Sequence, residues 1–136
     1  MRKGKEIKPP ILDGRVVEPG YVILTLPITP SKNREPQCWQ PRMVLKRVWA
    51  KNSYDAWLCA GRPKFEAVTI LSVFYCWSER DHDNCIGMAF KGVLDGLKGN
   101  LVPDDSPEYL KLLAPECRID RKRQRLELHI RERRES

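Results

Sequence analysis

Residues 66–77, EAVTILSVFYCW, hold no proline, no glycine and a single charge, and are rich in β-branched and aromatic side chains. Such a run reads as a buried strand. A chain of 136 residues is long enough to cover it with one real core, in one domain. Directly after it comes SERDHDNC (78–85), which presents Asp81 and Asp83 one residue apart. Like charges at that spacing repel, so a fold gains nothing from them alone. They imply a positive partner that is absent from the sequence.

The other elements follow from periodicity and turn residues. Residues 1–20 contain Gly4, Pro9, Pro10, Gly14, Pro19 and Gly20 and read as an irregular basic arm. YVILTLPI (21–28) reads as a strand buried on both faces, and TPSKNREPQCWQP (29–41) as a turn-rich loop. A helix is expected from Arg42 to about Ala60, with Leu45, Val48, Trp49, Ala56 and Trp57 as its apolar stripe and Arg42, Lys46, Arg47 and Lys51 as a basic face. A second helix is expected from Ile86 to Lys98, with Ile86, Phe90, Val93, Leu94 and Leu97 inward. Gly92 and Gly96 form a small ridge on it that permits close approach of another backbone, within the core or across a dimer. After a connection over 99–109, YLKLLAP reads as a short strand, RIDRKRQ as a basic turn and RLELHIRE (125–132) as a cleanly alternating strand. Residues 133–136 fray. The order β, α, β, α, β, β predicts one small α/β (α+β) domain over 21–132, a mixed sheet flanked by helices. Trp49, Trp57 and Trp77 are assigned to the core. Trp39 reads as a packed loop anchor, the alternative being a base-stacking residue.

Charge narrows the function. The net charge is +7, yet residues 81–110 carry six acids and two bases, leaving the rest of the chain strongly positive. An acidic centre in a basic body suits a metal-dependent enzyme acting on a polyanion, because cations must intervene between the acids and phosphate. The plainer reading is chance clustering of charge. No apolar run is long enough to span a membrane, and no h-region follows the basic N-terminus. Five cysteines (38, 59, 76, 85 and 117) without paired spacing read as reduced thiols of a cytoplasmic protein. Cys76, His82, Cys85 and Cys117 lack the pairing that makes a zinc site credible.

At a strand end, Asp81 and Asp83 would share a face about 7 Å apart and hold one or two Mg²⁺ ions. The alternative is a solvated turn, with Asn84 capping the next helix. A second pair, Asp104–Asp105, reads either as an Asx turn or as a further pair of ligands. The strand–helix–loop route between the pairs commonly returns a chain beside the strand it left, so the two clusters are expected to meet at one sheet edge.

TPSKNR after a first strand, then RDHDN, KGVLDGL and PDDS, resemble in that order the RusA family of Holliday-junction resolvases. The match covers roughly residues 21–132. It implies the compact α/β fold of that family, a homodimer, and Mg²⁺-dependent endonucleolytic cleavage of four-way DNA junctions, with Mn²⁺ able to substitute, in a bacterial cell or its phage. Neither a membrane nor a small-molecule cofactor is expected as a partner. By the same resemblance Asp81, Asp83 and Asp105 are the essential carboxylates and metal ligands, Asp104 is a lesser neighbour, and the helix lysine maps to Lys91.

One departure stands out. The family's lysine follows the second Asp of D-x-D by four residues, where this chain has Gly87, and Lys91 comes one helical turn later. Either the helix begins a turn late, or the lysine is lost and Lys91 merely pairs with Asp95. Candidates for phosphate contact are Arg80, Lys46, Arg47, Lys51, Arg121, Lys122 and Arg123, joined by Arg42, Arg118 and Arg125. Two other readings remain: a non-catalytic nucleic-acid-binding module of the same fold, and a less selective branch or flap nuclease.

Overall fold

The computed structural model describes residues 11–133. They form one α+β domain with a six-stranded mixed sheet and two long helices. In chain order the elements are β1 (Asp13–Glu18), β2 (Tyr21–Leu26), α1 (Trp39–Cys59), β3 (Val68–Cys76), α2 (Met88–Leu97), β4 (Leu110–Leu112), β5 (Glu116–Ile119) and β6 (Arg125–Glu132). Short 3₁₀ turns, Lys32–Arg34 and His82–Asn84, precede α1 and α2.

The sheet order is β1-β2-β6-β3-β4, and β5 also pairs with β3. β3 pairs antiparallel with β6 along all but its last residue, from Val68↔Glu132 to Tyr75↔Arg125. Its other edge is parallel and shared: Val68–Ile70 pair with β4, and Val73–Cys76 with β5. β3 is thus hydrogen-bonded along both edges, which suits its run of apolar residues.

Alternation sorts the side chains. Val22, Leu24, Leu26, Leu126, Leu128, Ile130, Val68, Ile70 and Phe74 are all but inaccessible and face the helices. Phe74 meets Phe90 of α2, with ring centroids 5.8 Å apart. On the opposite face Tyr21, His129, Glu127 and Arg125 form a polar chain. The Tyr21 hydroxyl lies 2.6 Å from His129 Nδ1, and Glu127 binds both His129 and Arg125. The Arg125 guanidinium covers the Tyr75 ring at 3.8 Å. Burial works against ionisation of Glu127, but the Arg125 hydrogen bond and charge hold its carboxyl below the usual range.

α1 and α2 pack backbone to backbone. A Cβ at Gly92 would strike the carbonyl of Lys46, and one at Gly96 would strike Ala50 and Ser53. The expected small ridge therefore serves the core of this chain. The Ser53 hydroxyl, fully buried, donates to Val93 O at 2.8 Å and stitches the two helices.

Several boundaries differ from expectation. Asp13–Glu18 is an edge strand rather than part of an irregular arm, because it pairs antiparallel with β2. The arm's first ten residues lie outside the described ones. α1 begins at Trp39, since Pro41 falls in the first turn, where its missing N–H has no partner to lose. α2 begins at Met88 rather than Ile86. β5 takes the first two residues of the expected basic turn, Arg118 and Ile119, into the sheet. Arg133 is not frayed: its amide donates to Ala67 O at 2.9 Å and its guanidinium to Glu108 O. Trp49 and Trp57 lie in the core at 7% and 5% exposure, but Trp77 is 60% exposed, because β3 ends one residue before it. Trp39, at 72%, is the most exposed aromatic described rather than a packed anchor.

Gly96→Ala should lower the denaturant midpoint by the equivalent of about 1–3 kcal/mol, since neither backbone can retreat. Arg125→Met tests the polar face. Glu127 has a depressed folded-state pKa, so its stabilisation is present at neutral pH and is lost as pH falls through that value. The stability gap between the parent protein and Arg125→Met should therefore be largest near neutrality and shrink as Glu127 protonates in acid, measured by urea unfolding across pH.

Candidate active site

Two segments some fifty residues apart in sequence converge beyond the C-terminal end of β3. The first, Thr29–Glu35, leaves β2; the second, Arg80–Asn84, leaves β3. The Arg80 guanidinium donates to Thr29 O at 3.0 Å and lies 6.0 Å from the Phe74 ring centroid. Glu35 makes the stronger link. Its side chain is buried, at 4% exposure, and accepts from the amides of Met88 (2.8 Å) and Ala89 (2.7 Å). It thus caps α2 from a distant loop, placing a carboxylate on amides that no helix bond satisfies. Asn84, the expected cap, instead belongs to the 3₁₀ turn, with its amide on Asp81 O at 2.9 Å.

Between the segments lies a cleft of about 670 Å³. Ser31, Arg34, Arg80, Asp81, Asn84 and Gln124 line it, and Trp77 stands at its wall. Thr29 also lines it, and the Thr29 hydroxyl is buried with no hydrogen-bond partner among the described residues. Asp81 is exposed, extended at φ −66°, ψ 142°, and begins the turn that carries Asp83. Neither carboxylate has an ion-pair partner among the described residues. β3 ends at Cys76, so the two acids ride on a turn rather than sharing a strand face as expected.

The other acidic pair is elsewhere. Asp104 and Asp105 precede β4, whose Leu110 pairs with Val68, the first residue of β3. Asp81 follows the last residue of β3. β3 is nine residues long, so its two ends lie roughly 26 Å apart at ~3.3 Å per residue. The chain does return beside β3 as expected, but it does so at the far end, because α2 runs back along the sheet first. Within one chain the two acidic clusters do not meet. Lys98, at the end of α2, lies 3.5 Å from Asp104 and 3.9 Å from Asp105. The Asp105 amide, and then Lys98, hold the Asp104 carboxyl below the usual range. Among the described residues no group of three or more His, Cys, Asp or Glu is arranged to hold a metal ion.

Lys91 falls in the first turn of α2, exposed and with no ion-pair partner among the described residues. Its expected partner, Asp95, instead pairs across the helices with Lys46 at 3.1 Å. A lysine at position 87 would collide with the Glu35 carboxylate, which lies where the Gly87 Cβ would be.

The expected basic contacts divide in two. On α1, Lys46 is committed to Asp95, Lys51 pairs with Asp55 at 2.9 Å, and Arg42 donates to Pro36 O. Arg47 alone of that face has no partner among the described residues. The β5–β6 turn is different. Cys76 pairs with Ile119, so the turn starts at the cleft end of the sheet, and Gln124 reaches the cleft itself. Asp120 shapes this turn by accepting from the amides of Lys122 and Arg123 at 3.0 and 3.1 Å. Hydrogen bonding from Arg125, then from those amides, holds its carboxyl below the usual range. Arg121, Lys122 and Arg123 are exposed, and the Arg121 guanidinium lies 5.8 Å from the Trp77 ring.

Nothing in the sequence marked Glu35 as the buried carboxylate, since its partners are backbone amides. Ser31 and Arg34 lie within TPSKNR but were not singled out as site residues, and the exposure of Trp77 was unmarked. No family model matches the chain, and no curated protein matches it either.

Glu35→Ala should destabilise the fold by about 1–3 kcal/mol, because it strands two buried amides, whereas Glu35→Gln, which keeps an acceptor, should lose less. Chemical denaturation of the two variants distinguishes a cap from a mere space-filler.

Proposed function

We propose that this chain is a Mg²⁺-dependent endonuclease of branched DNA that acts as a homodimer, with the four-way junction as its substrate. The observation that carries the reading is the convergence of TPSKNR and RDHDN on one cleft that has Asp81 in its wall and the basic Arg121–Arg123 turn at the same end of the sheet. The resemblance to the RusA family supports it.

The donor set fits the metal. Mg²⁺ is commonly held by one or two carboxylates while keeping several waters, and Asp81 and Asp83 are two hard oxygen ligands with no ion-pair partner among the described residues. Bound there, the ion would supply charge neutralisation and an activated water for phosphodiester hydrolysis. Arg34 and Arg80 orient a phosphate over the cleft, and the Arg121–Arg123 turn holds the flanking backbone without reading sequence. Lys91 stabilises charge on the phosphoryl oxygens, from the first turn of a helix whose N-terminus Glu35 holds in place.

Asp104 and Asp105 are too distant to serve the Asp81 of their own chain. A two-fold axis exchanges the two ends of β3 between protomers and brings the Asp105 of one copy toward the Asp81 of the other. Two composite centres then make two symmetric nicks. The separation within one chain also favours a second reading, a module that binds branched DNA without cutting it.

With a synthetic mobile four-way junction and Mg²⁺, Asp81→Asn and Asp105→Asn homodimers should each lose cleavage by about 10²-fold or more, while junction affinity holds. Mixing the two variants should restore nicking, because one of the two centres in each mixed dimer is intact. Inactive mixtures sink the composite centre, and binding without cleavage by the unaltered protein favours the module. Lys91→Ala should slow cleavage by about ten-fold or more and leave thermal stability unchanged.

A further inference from the structure

Cys85 and Cys117 lie 32 residues apart in sequence, yet their sulfurs are 3.0 Å apart. The pairing of Phe74 with Cys117 places Cys117 on the helix-covered face of the sheet, beside the start of α2, where Cys85 is fully buried. A disulfide needs about 2.05 Å between sulfurs, so closure asks for roughly 1 Å of movement. Cys117 is half-buried and opens onto a second, smaller cleft of about 310 Å³, which Arg80 and Arg118 also line. One carboxylate, Glu79, lines it beside the two guanidiniums, a positive balance that suits a small anionic reagent. Cys76, on the same strand face, is buried and does not line this cleft.

We propose that Cys85 and Cys117 are a reversible modification site that reacts with an anionic low-molecular-weight disulfide entering beside Cys117. Cys117 gives up its proton to water and attacks, as the thiolate, one sulfur of the reagent, whose S–S bond breaks and releases one thiolate, which takes a proton back from water. A mixed disulfide on Cys117 results. The Cys85 sulfur then attacks Cys117 Sγ and expels the second thiolate, which takes up the Cys85 proton. Two protein thiols are oxidised by two electrons, and one disulfide is reduced to two thiols.

Cys85 ends the turn that carries Asp81 and Asp83: its amide binds His82 O at 3.1 Å and its thiol binds Asp81 O at 3.6 Å. The new bond would lash that turn to β5. The site stands on the thiol geometry and does not depend on nuclease activity.

The test uses the full chain with the exposed Cys38 and Cys59 replaced by serine, which leaves Cys76, Cys85 and Cys117. After incubation with excess glutathione disulfide and removal of the reagent, thiols titrated in denaturant should fall from three per chain to one. Non-reducing peptide mapping should join the peptides holding Cys85 and Cys117, and dithiothreitol should restore all three thiols. Added Cys85→Ser should trap glutathione on Cys117, and added Cys117→Ser should keep both remaining thiols free. Three surviving thiols, a glutathione adduct on Cys117 that persists while Cys85 is present, or a cross-link through Cys76 would each overturn the proposal.

Discussion

β3 must satisfy its backbone on two sides at once, and the rest of the structure follows from how it does so. Along one edge it takes β6 antiparallel from Val68 to Tyr75. Along the other it takes β4 and β5, both parallel. A parallel neighbour cannot be reached by a hairpin. The chain must first travel back along the sheet, and α2 is the element that does it. This one constraint separates the turn before α2 from the loop after it, so Asp81 and Asp104–Asp105 stand at opposite ends of the strand they flank.

α2 is seated by two contacts of different kinds. Its glycine face lies against the α1 backbone, with Lys46, Ala50 and Ser53 filling the space a methyl group would need. Its N-terminus is held by the buried Glu35 carboxylate. Burying a carboxylate costs free energy, which two charge-assisted hydrogen bonds and the helix dipole offset. The arrangement links the β2–α1 loop to the acidic turn and so forms both walls of the cleft. It also accounts for Gly87, since a side chain there would expel the cap.

The two sheet faces use opposite chemistry. One is apolar and closed by the helices. The other carries the chain Tyr21–His129–Glu127–Arg125–Asp120, each member hydrogen-bonded or ion-paired with the next. Its partly exposed groups satisfy one another, so it remains polar without isolated charge. Arg125 also binds Asp120, which ties this face to the basic turn bordering the cleft.

Local pattern determined a good deal. The alternation of RLELHIRE set β6 and its buried face, and the β-branched run at 66–77 set β3, because both signals repeat over short range. Trp49 and Trp57 were placed in the core by helical spacing. The edge strand Asp13–Glu18 was obscured by flanking glycine and proline, since its pairing depends on β2. Trp77 looked like core because it ends an apolar run, yet the strand stops before it. The acids at 81, 83, 104 and 105 were legible as acids, but their separation was not. It depends on the direction of β4 beside β3, a long-range pairing that leaves no periodic mark. The same holds for Glu35 on the α2 amides and for Cys85 beside Cys117. Each is a contact between groups more than thirty residues apart, and only the packing of the sheet against its helices brings them together.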